Sequence, residues 1–382
     1  MMMFCVPSAF GWLVLLQANS FSFLCLGVFL TGFSGAFSML APAFLREVAE
    51  VEIRGRLASV GQVMYTLGVF STYVMGASLP WRDVTKLCLP IPWLALVFLY
   101  FLPESPALLV QQGRLKEARK ALTFYRGQGR EDVVGVEMAK LQAKVQKDEG
   151  ASLGLAAILA SKQHRIPLLI SMFFMLLQQL TGVKVVNKYV VKIFEKSGST
   201  LDPYVCSIVV GATNVVGTLL AAKVIDSFGR KNLLITSSFS VFISYSMLGT
   251  FFLLITPAIG HLLPTWLPFA SLILFALSCS SGSSVPWILN SELPARQAKA
   301  TSSSMGAAAN WLTSFLVVKF TPTMEATVGA GPTYLALGLI NLAIALMVYK
   351  WCPETRGLTE EQVEDLWRKP ESTPVNPIVV SE

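Results

Sequence analysis

Ten apolar runs, each near the length of a bilayer crossing, constrain this chain more than any other feature. They cover residues 1–17, 21–45, 57–79, 87–102, 166–194, 204–225, 233–255, 266–289, 300–320 and 333–351. A transmembrane helix needs about 20 predominantly apolar residues. In lipid no water satisfies exposed peptide groups, so only helices and closed barrels can span. The period-two alternation of a barrel is absent, and the expected fold class is all-α, a polytopic membrane protein. Of the 382 residues, 53% are apolar and 14% charged, against about 25% charged in a soluble domain. That excludes disorder, a coiled coil, a collagen-like chain and a disulfide scaffold. Residues 1–17 read as a helix rather than a signal peptide, because they lack a basic start and a second apolar run follows at once.

The net charge of +7 is read as membrane orientation, not nucleic-acid binding, because Lys and Arg accumulate in cytoplasmic loops. Arg46, Arg54 and Arg56, eleven basic residues from Arg114 to Arg165, then Arg230, Lys231, Arg296 and Lys299 all fall in loops on one side. The opposite loops carry mainly Arg82, Lys86 and Lys196. The first set is expected to be cytoplasmic, as are both termini, with the plasma membrane as the default compartment. Residues 104–165 are charged and place Leu115, Ala118, Leu122 and Tyr125 at helical spacing. The expected organisation is a four-helix bundle over 1–103, a cytoplasmic helical linker over 104–165, a six-helix bundle over 166–352 and a cytoplasmic tail over 353–382.

Enzyme signatures are missing: the sequence holds no HExxH, no GxSxG and no Walker A loop. His164 and His261, the two histidines, fall on opposite sides of the expected membrane, so no metal site or cofactor is expected. The six cysteines have no paired spacing and read as small buried hydrophobes.

Charged groups cluster at the cytoplasmic helix ends. They are Glu47 with Arg54-Gly55 after it, Pro103-Glu104-Ser105-Pro106, Asp226 with Gly229-Arg230-Lys231, Glu292 with Arg296 and Lys299, and Pro353-Glu354-Thr355-Arg356-Gly357. Carboxylates and cations that pair in one state and part in another bias a two-state equilibrium, which alternating access requires. The bland alternative is ordinary membrane-flanking charge. The Pro-Glu-Ser/Thr run after both bundles points to an internal repeat.

With Gln62, Gln178-Gln179-Leu180-Thr181-Gly182, Pro286-Trp287 and Asn310-Trp311 in the same order, the chain resembles the sugar porters of the major facilitator superfamily, of the glucose- and trehalose-transporter type. The resemblance runs from about residue 1 to 366. It implies two six-helix halves around a cytoplasmic helical domain, with about ten of those helices present here as four plus six. Against that pattern the chain starts at the family's third helix, and a shortened chain is expected over a departure from the fold. The resemblance also implies a small sugar as substrate and the bilayer as surroundings, and it leaves proton coupling open.

Gln178 and Gln179 lie twelve to thirteen residues into their run, roughly 18–20 Å along a helix and close to the midplane. Two amides at that depth need partners, and a watery cavity supplies them. Amides both donate and accept, which suits neutral hydroxyl-rich ligands. Gln62, Asn214 and Asn310 add amides on other helices, and Trp287 and Trp311 add flat faces for a pyranose ring. For each residue alone, helix–helix hydrogen bonding or interfacial anchoring fits as well. Gly182 and Pro286 mark places where helices can unwind around a substrate.

Some positions depart from the family's pattern. Lys184 stands where the family usually has Asn, and Lys188 where it has an aromatic. Lys184, Lys188 and Lys192 share one helical face. A lysine at a bilayer centre costs about 2.5–3.5 kcal/mol, so that face cannot meet lipid there. Lys188 and Lys192 fall near the outer surface, while Lys184 is deeper. Ser283-Ser284 replaces a Gly-Pro pair, expected to stiffen or reshape the kink. Val28 and Ala107 replace two arginines, leaving Glu104 and Glu354 with fewer cations.

The expected substrate-binding set is therefore Gln62, Gln178, Gln179, Lys184, Asn214, Trp287, Asn310 and Trp311. The expected cytoplasmic gate is Glu47, Arg54, Glu104, Asp226, Arg230, Glu292, Lys299 and Glu354. The function expected is transport of a hexose or trehalose by alternating access. Its rivals are a transport-dead sugar sensor or partner subunit, and a porter for an anionic sugar derivative with Lys184 as counter-charge.

Overall fold

The computed structural model describes residues 2–36, 40–50, 53–127, 129–148, 153–199, 201–255, 264–352, 354 and 362. His261 lies outside the described residues, as does nearly all of the expected tail. Among the described residues there is no strand. The helices are α1 (Met2–Leu16), α2 (Phe21–Ala36), α3 (Leu40–Val48), α4 (Arg54–Ser78), α5 (Trp81–Cys88), α6 (Pro90–Phe101), α7 (Pro106–Gln111), α8 (Leu115–Arg126) and α9 (Glu131–Asp148). They continue with α10 (Leu155–Ala160), α11 (Lys162–Leu180), α12 (Val183–Ser197), α13 (Pro203–Phe228), α14 (Arg230–Leu254), α15 (Leu267–Gly282), α16 (Val285–Glu292), α17 (Lys299–Val328) and α18 (Ala330–Trp351).

Over their described residues all ten apolar runs are mainly helical. Six stretches among the described residues are long and apolar enough to cross a bilayer: Trp81–Phe101, Lys162–Ser197, Pro203–Ala221, Arg230–Leu254, Leu267–Glu292 and Ala330–Trp351. Two shorter apolar helices, Cys5–Leu16 and Phe21–Gly35, precede them. Phe98, Tyr100 and Phe101 are each more than two-thirds exposed, the surface of a helix whose solvent is lipid rather than water. α1 and α2 approach closely because both carry glycine at the crossing. A Cβ on Gly11 would stand 2.8 Å from Thr31 Cγ2 and 3.1 Å from the Gly27 carbonyl oxygen.

Among the described residues, three of the runs are interrupted rather than straight. The 166–194 run divides at Gly182 between α11 and α12, and the 266–289 run at Ser283-Ser284 between α15 and α16. The replacement of Gly-Pro by two serines therefore leaves the interruption in place. The 87–102 run begins within α5 and continues as α6, with Pro90 opening the latter, where its missing N–H costs nothing.

Contacts group the chain into two compact units. One comprises Met1–Ala151, Val186–Val224 and Thr250–Ser281; the other comprises Ser152–Val185, Ile225–Gly249 and Gly282–Glu382. In the first, the charged stretch after Leu102 folds as α7, α8 and α9 around Leu109, Val110, Ala118, Ala121 and Val145. The Tyr125 hydroxyl donates to the Pro103 carbonyl at 2.7 Å, and burial holds its phenol above the ordinary range. Arg126, only 5% exposed, donates to both Glu137 carboxylate oxygens at 2.9 and 3.1 Å and to the Val48 carbonyl at 2.7 Å. Val48 ends α3, so one guanidinium fastens the charged helices to the last carbonyls of an apolar one.

Arg126→Met should therefore cost about 2–3 kcal/mol, somewhat below the ~3–5 kcal/mol of a fully buried broken pair, because Glu137 remains 31% exposed. Limited proteolysis would then cut within 114–148 faster than in the parent protein, at unchanged sites elsewhere. Equal cutting rates would mean that the apolar cluster alone holds these helices.

In the second unit the Leu153 amide donates to the Gln297 carbonyl at 2.9 Å, and Thr301 Oγ1 donates to the Leu153 carbonyl at 3.1 Å. Ile158 on α10, Leu168 on α11 and Ala298 form a small core beside them.

Candidate functional site

The second unit gathers three of the expected amides into one network. Gln178 and Gln179 occupy the last turn of α11, and Asn310 lies on α17, where it is 1% exposed. Gln179 Nε2 donates to Asn310 Oδ1 at 2.8 Å. Asn310 Nδ2 donates to Gln178 Oε1 at 2.7 Å and to the Met175 carbonyl at 2.8 Å. Gln178 Nε2 in turn donates to the carbonyl of Ser283. That carbonyl lies in the interruption between α15 and α16, where no continuing helix takes it up. The broken helix thus exposes a peptide oxygen, and a side-chain amide from α11 covers it.

The same unit places a cation over an aromatic ring of α17. Lys184, half-buried on the first turn of α12, holds Nζ 5.9 Å from the ring centroid of Trp311, the residue after Asn310. Trp287 is half-buried on α16. Lys188 and Lys192, in the first unit, are exposed and lie over the Tyr189 ring at 5.6 and 5.8 Å.

Gly182, between the glutamines and Lys184, has φ +79, a conformation that side chains with Cβ rarely adopt. The hydroxyl end of Tyr245 on α14 packs directly against it. Tyr245 is fully buried and stacks on Tyr334 of α18, ring centroids 6.1 Å apart. The Tyr334 hydroxyl donates to Glu325 Oε1 of α17 at 2.6 Å.

A further amide is just as interlocked. Asn290 on α16, 2% exposed, accepts from the Ser171 hydroxyl of α11, donates to the Ser303 carbonyl of α17 at 3.1 Å, and accepts the Ser303 hydroxyl on its own carbonyl at 3.0 Å. Sequence reading missed Asn290 because it falls one residue past the 266–289 run, among loop-like polar residues. Tyr245 and Tyr334 gave no signal, since an aromatic inside an apolar run looks like packing.

The other expected binding residues belong to the first unit. Asn214 on α13 packs against α15: Ser280 Oγ lies 3.2 Å from its Oδ1 and 3.1 Å from its carbonyl oxygen. A Cβ on Gly217, three residues along, would stand 2.8 Å from Ser280 Cβ. That is the helix–helix alternative weighed for each amide. Gln62 is half-buried on α4.

The charged groups also form local sets. In the second unit Arg230 Nη2 lies 3.6 Å from Glu292 Oε1. Glu354 accepts the backbone amides of Arg230 and Lys231, both at 3.1 Å, and so caps the start of α14. Gly229, at φ +82, makes room for it: a Cβ there would stand 2.7 Å from Glu354 Oε2. Burial, reinforced by Glu354 and opposed by Lys231, pushes the Cys352 thiol up to about 12, in keeping with an inert buried cysteine. In the first unit the Ser105 hydroxyl donates to Glu47, and Arg114 pairs with Glu104 at 3.2 Å. Arg114 thus supplies Glu104 with a cation despite Ala107, and Glu354 meets the first amides of α14. Lys299 is half-buried at the start of α17. The side chains of Arg54, Asp226 and Arg296 lie outside the described residues.

Residues 1–367 match the family described as Sugar (and other) transporter. The chain belongs to that family. A facilitated trehalose transporter, Tret1, of Apis mellifera ligustica is 32% identical over 366 residues, which cover 94% of this chain and 72% of the relative. Tret1 of Culex quinquefasciatus is also 32% identical, over 94% of this chain and 69% of the relative. Among solved structures, the proton:xylose symporter XylE bound to 6-bromo-6-deoxy-D-glucose superimposes with a TM-score of 0.71 at 24% identity, covering 96% of this chain and 81% of that one. An inward-open form of XylE from E. coli gives 0.75 at 24% identity, covering 96% and 80%. At that identity the likeness concerns the fold, which is the major facilitator fold. As a member of the sugar transporter family the protein is a multi-pass membrane transporter and not an enzyme.

Proposed function

We propose that this transporter carries a hexose or a disaccharide such as trehalose across the membrane by facilitated, alternating-access transport. The observation that carries the reading is the linked network of Gln178, Gln179 and Asn310, tied through Gln178 to the Ser283 carbonyl at a helix break. Every group in it donates or accepts without a net charge, as a ring of sugar hydroxyls does. A sugar would enter by exchanging hydroxyls for amide–amide bonds. Because such exchanges nearly balance, each contributes about 0.5–1.5 kcal/mol at most. The expected affinity is therefore modest, which suits a carrier that must also release its cargo.

The two interruptions, at Gly182 and at Ser283-Ser284, are the places where helices can bend around a substrate. Trp287 and Trp311 offer ring faces, with Gln62 and Asn214 as further hydroxyl partners. Glu47, Arg54, Glu104, Asp226, Arg230, Glu292, Lys299 and Glu354 would form the cytoplasmic gate, with the Arg230–Glu292 pair and the Glu354 cap stabilising one of its states. The plasma membrane as compartment, both termini in the cytoplasm, and the division at 103, 165 and 352 belong to the same proposal. The names and identities of the trehalose transporters support the substrate class.

Uptake of labelled trehalose and glucose by cells expressing the chain, normalised to surface protein, tests this directly. Saturable uptake is expected, and Gln179→Ala should raise the half-saturation concentration severalfold at normal surface level. Uptake that is linear in sugar and no greater than in control cells would remove the reading.

A further inference from the structure

The network of Gln178, Gln179 and Asn310 has a counterpart two helical turns away. Ser171 on α11 stands seven residues before Gln178, and Ser303 on α17 stands seven before Asn310. Asn290 on α16 stands seven residues after Ser283. Seven residues make about two turns, roughly 10 Å, and return to the same helix face. The spacing recurs on all three segments because a second polar layer joins them. The Ser171 hydroxyl donates to Asn290 Oδ1, and Asn290 Nδ2 donates to the Ser303 carbonyl at 3.1 Å. The Ser303 hydroxyl donates to the Asn290 carbonyl at 3.0 Å. Gly306 admits the Asn290 amide, since a Cβ there would collide with it.

α16 hangs between the two layers. It has eight residues, set off by the break at Ser283-Ser284 before it and by Pro294 after it. A helix shorter than about 12 residues does not persist by itself, so α16 depends on its ties. There are three. The Ser283 carbonyl, just ahead of it, accepts from Gln178; Asn290 joins it to α11 and α17; and Glu292, its last residue, lies 3.6 Å from Arg230 of α14.

We propose that Asn290 is a positioning residue, the pivot on which α16 carries sugar binding at the amide network to the Arg230–Glu292 pair. The proposal rests on the sugar-carrying reading and adds to it a link between the site and the charged helix ends. A sugar hydroxyl that takes the place of the Ser283 carbonyl as acceptor from Gln178 frees the start of α16. The second layer is closed to the same exchange, because Asn290 is 2% exposed and Ser171 fully buried. A short helix released at one end and held near the other tilts about the held point. Glu292 lies two residues beyond that point, so the tilt moves its carboxylate against Arg230. Without the Asn290 side chain the freed helix slackens instead, and binding no longer reaches the ion pair.

The test uses the full chain, purified and reconstituted in liposomes, with labelled D-glucose and trehalose and rates expressed per molecule of transporter. Asn290→Leu removes both side-chain bonds at similar volume. Its half-saturation concentration is expected to stay within twofold of the parent while its maximal rate falls at least fivefold, the split that marks a step after binding. Ser171→Ala removes one bond of the layer and should show the same split at about twofold, which keeps the test open if Asn290→Leu does not fold. A merely structural role would lower the yield and leave both constants unchanged, and that result overturns the inference. So does a raised half-saturation at full maximal rate, which would make Asn290 part of sugar recognition. If Gln179→Ala raises half-saturation while Asn290→Leu and Ser171→Ala keep the parent's maximal rate, the inference fails and the sugar-carrying reading stands. If the parent protein, monodisperse and with a sharp melting transition, carries neither sugar saturably, both fail together.

Discussion

Gly182→Ala is expected to lower the melting temperature of the purified protein by on the order of 10 °C, at roughly 2–4 °C per kcal/mol, and to abolish measurable uptake. Two costs combine. At φ +79 a Cβ meets its own backbone, at about 1–2 kcal/mol. The new methyl would also crowd the Tyr245 hydroxyl and stand 3.3 Å from Cζ, and overpacking costs a further ~1–3 kcal/mol. Tyr245 has little room to yield. It is fully buried, stacked on Tyr334, and backed by Gly338, where a Cβ would lie 3.3 Å from the Tyr245 Cβ. The backbone part of the cost stays whatever the neighbours do, but the packing part does not. Tyr245→Phe in the same chain should therefore recover part of the loss, a coupling of about 1 kcal/mol or more. Strictly additive melting temperatures would show that Tyr245 does not seat the break between α11 and α12.

Asn310→Leu is expected to reduce uptake at low sugar concentration more than tenfold at equal surface level. The substitution removes three hydrogen bonds at once, from Gln179, to Gln178 and to the Met175 carbonyl. Charged at about 1–3 kcal/mol for each orphaned buried group, it would unfold many proteins. In a bilayer the unfolded helices find other partners, and such bonds average only about 0.6 kcal/mol. The second figure governs stability here, so the loss is about 2 kcal/mol and the protein still reaches the surface. Transport suffers more, because Asn310 holds both glutamine amides in place and Gln178 in turn holds the Ser283 carbonyl. Near-normal uptake by Asn310→Leu would place sugar recognition elsewhere in the fold.

Helical spans were legible because the physics that forms them is one-dimensional. A run of about 20 apolar residues without barrel alternation has no alternative to the helix in lipid, and the described residues of the ten runs are mainly helical. The helical spacing of Leu115, Ala118, Leu122 and Tyr125 also predicted α8, in which Ala118 and Leu122 are buried and Tyr125 half-buried, whereas Leu115 is exposed. Helix interruptions were harder. Gly182 marked one as expected, but Ser283-Ser284 was expected to stiffen or reshape its kink. The structure keeps the break and satisfies the Ser283 carbonyl from another helix. No local signal reveals such a bond, because its partner, Gln178, is 105 residues away in the chain.

The candidate site divides in the same way. Composition and depth identified Gln178, Gln179 and Asn310 as amides needing partners, but not that they would find one another. Asn214 had the same credentials, yet it meets Ser280 on a packed helix face. Equal polarity in two apolar runs led to two arrangements, because rotation about each helix axis is set by packing and not by the run. The charges behaved likewise. Ala107 seemed to strip Glu104 of a cation, and the chain supplied Arg114 instead, ten residues along.

By itself, then, the sequence determined that this chain spans a membrane, is built of helices and belongs with the sugar porters. Each of these follows from local hydropathy, local charge or ordered motifs. Only the tertiary structure decided which amides close on each other, that Tyr245 seats the Gly182 break, that Glu354 caps α14, and that Lys184 lies over Trp311. These depend on which faces of distant helices meet, and between two lipid-embedded helices that is settled by close packing and a few polar contacts rather than by hydrophobicity, which lipid satisfies equally on every side.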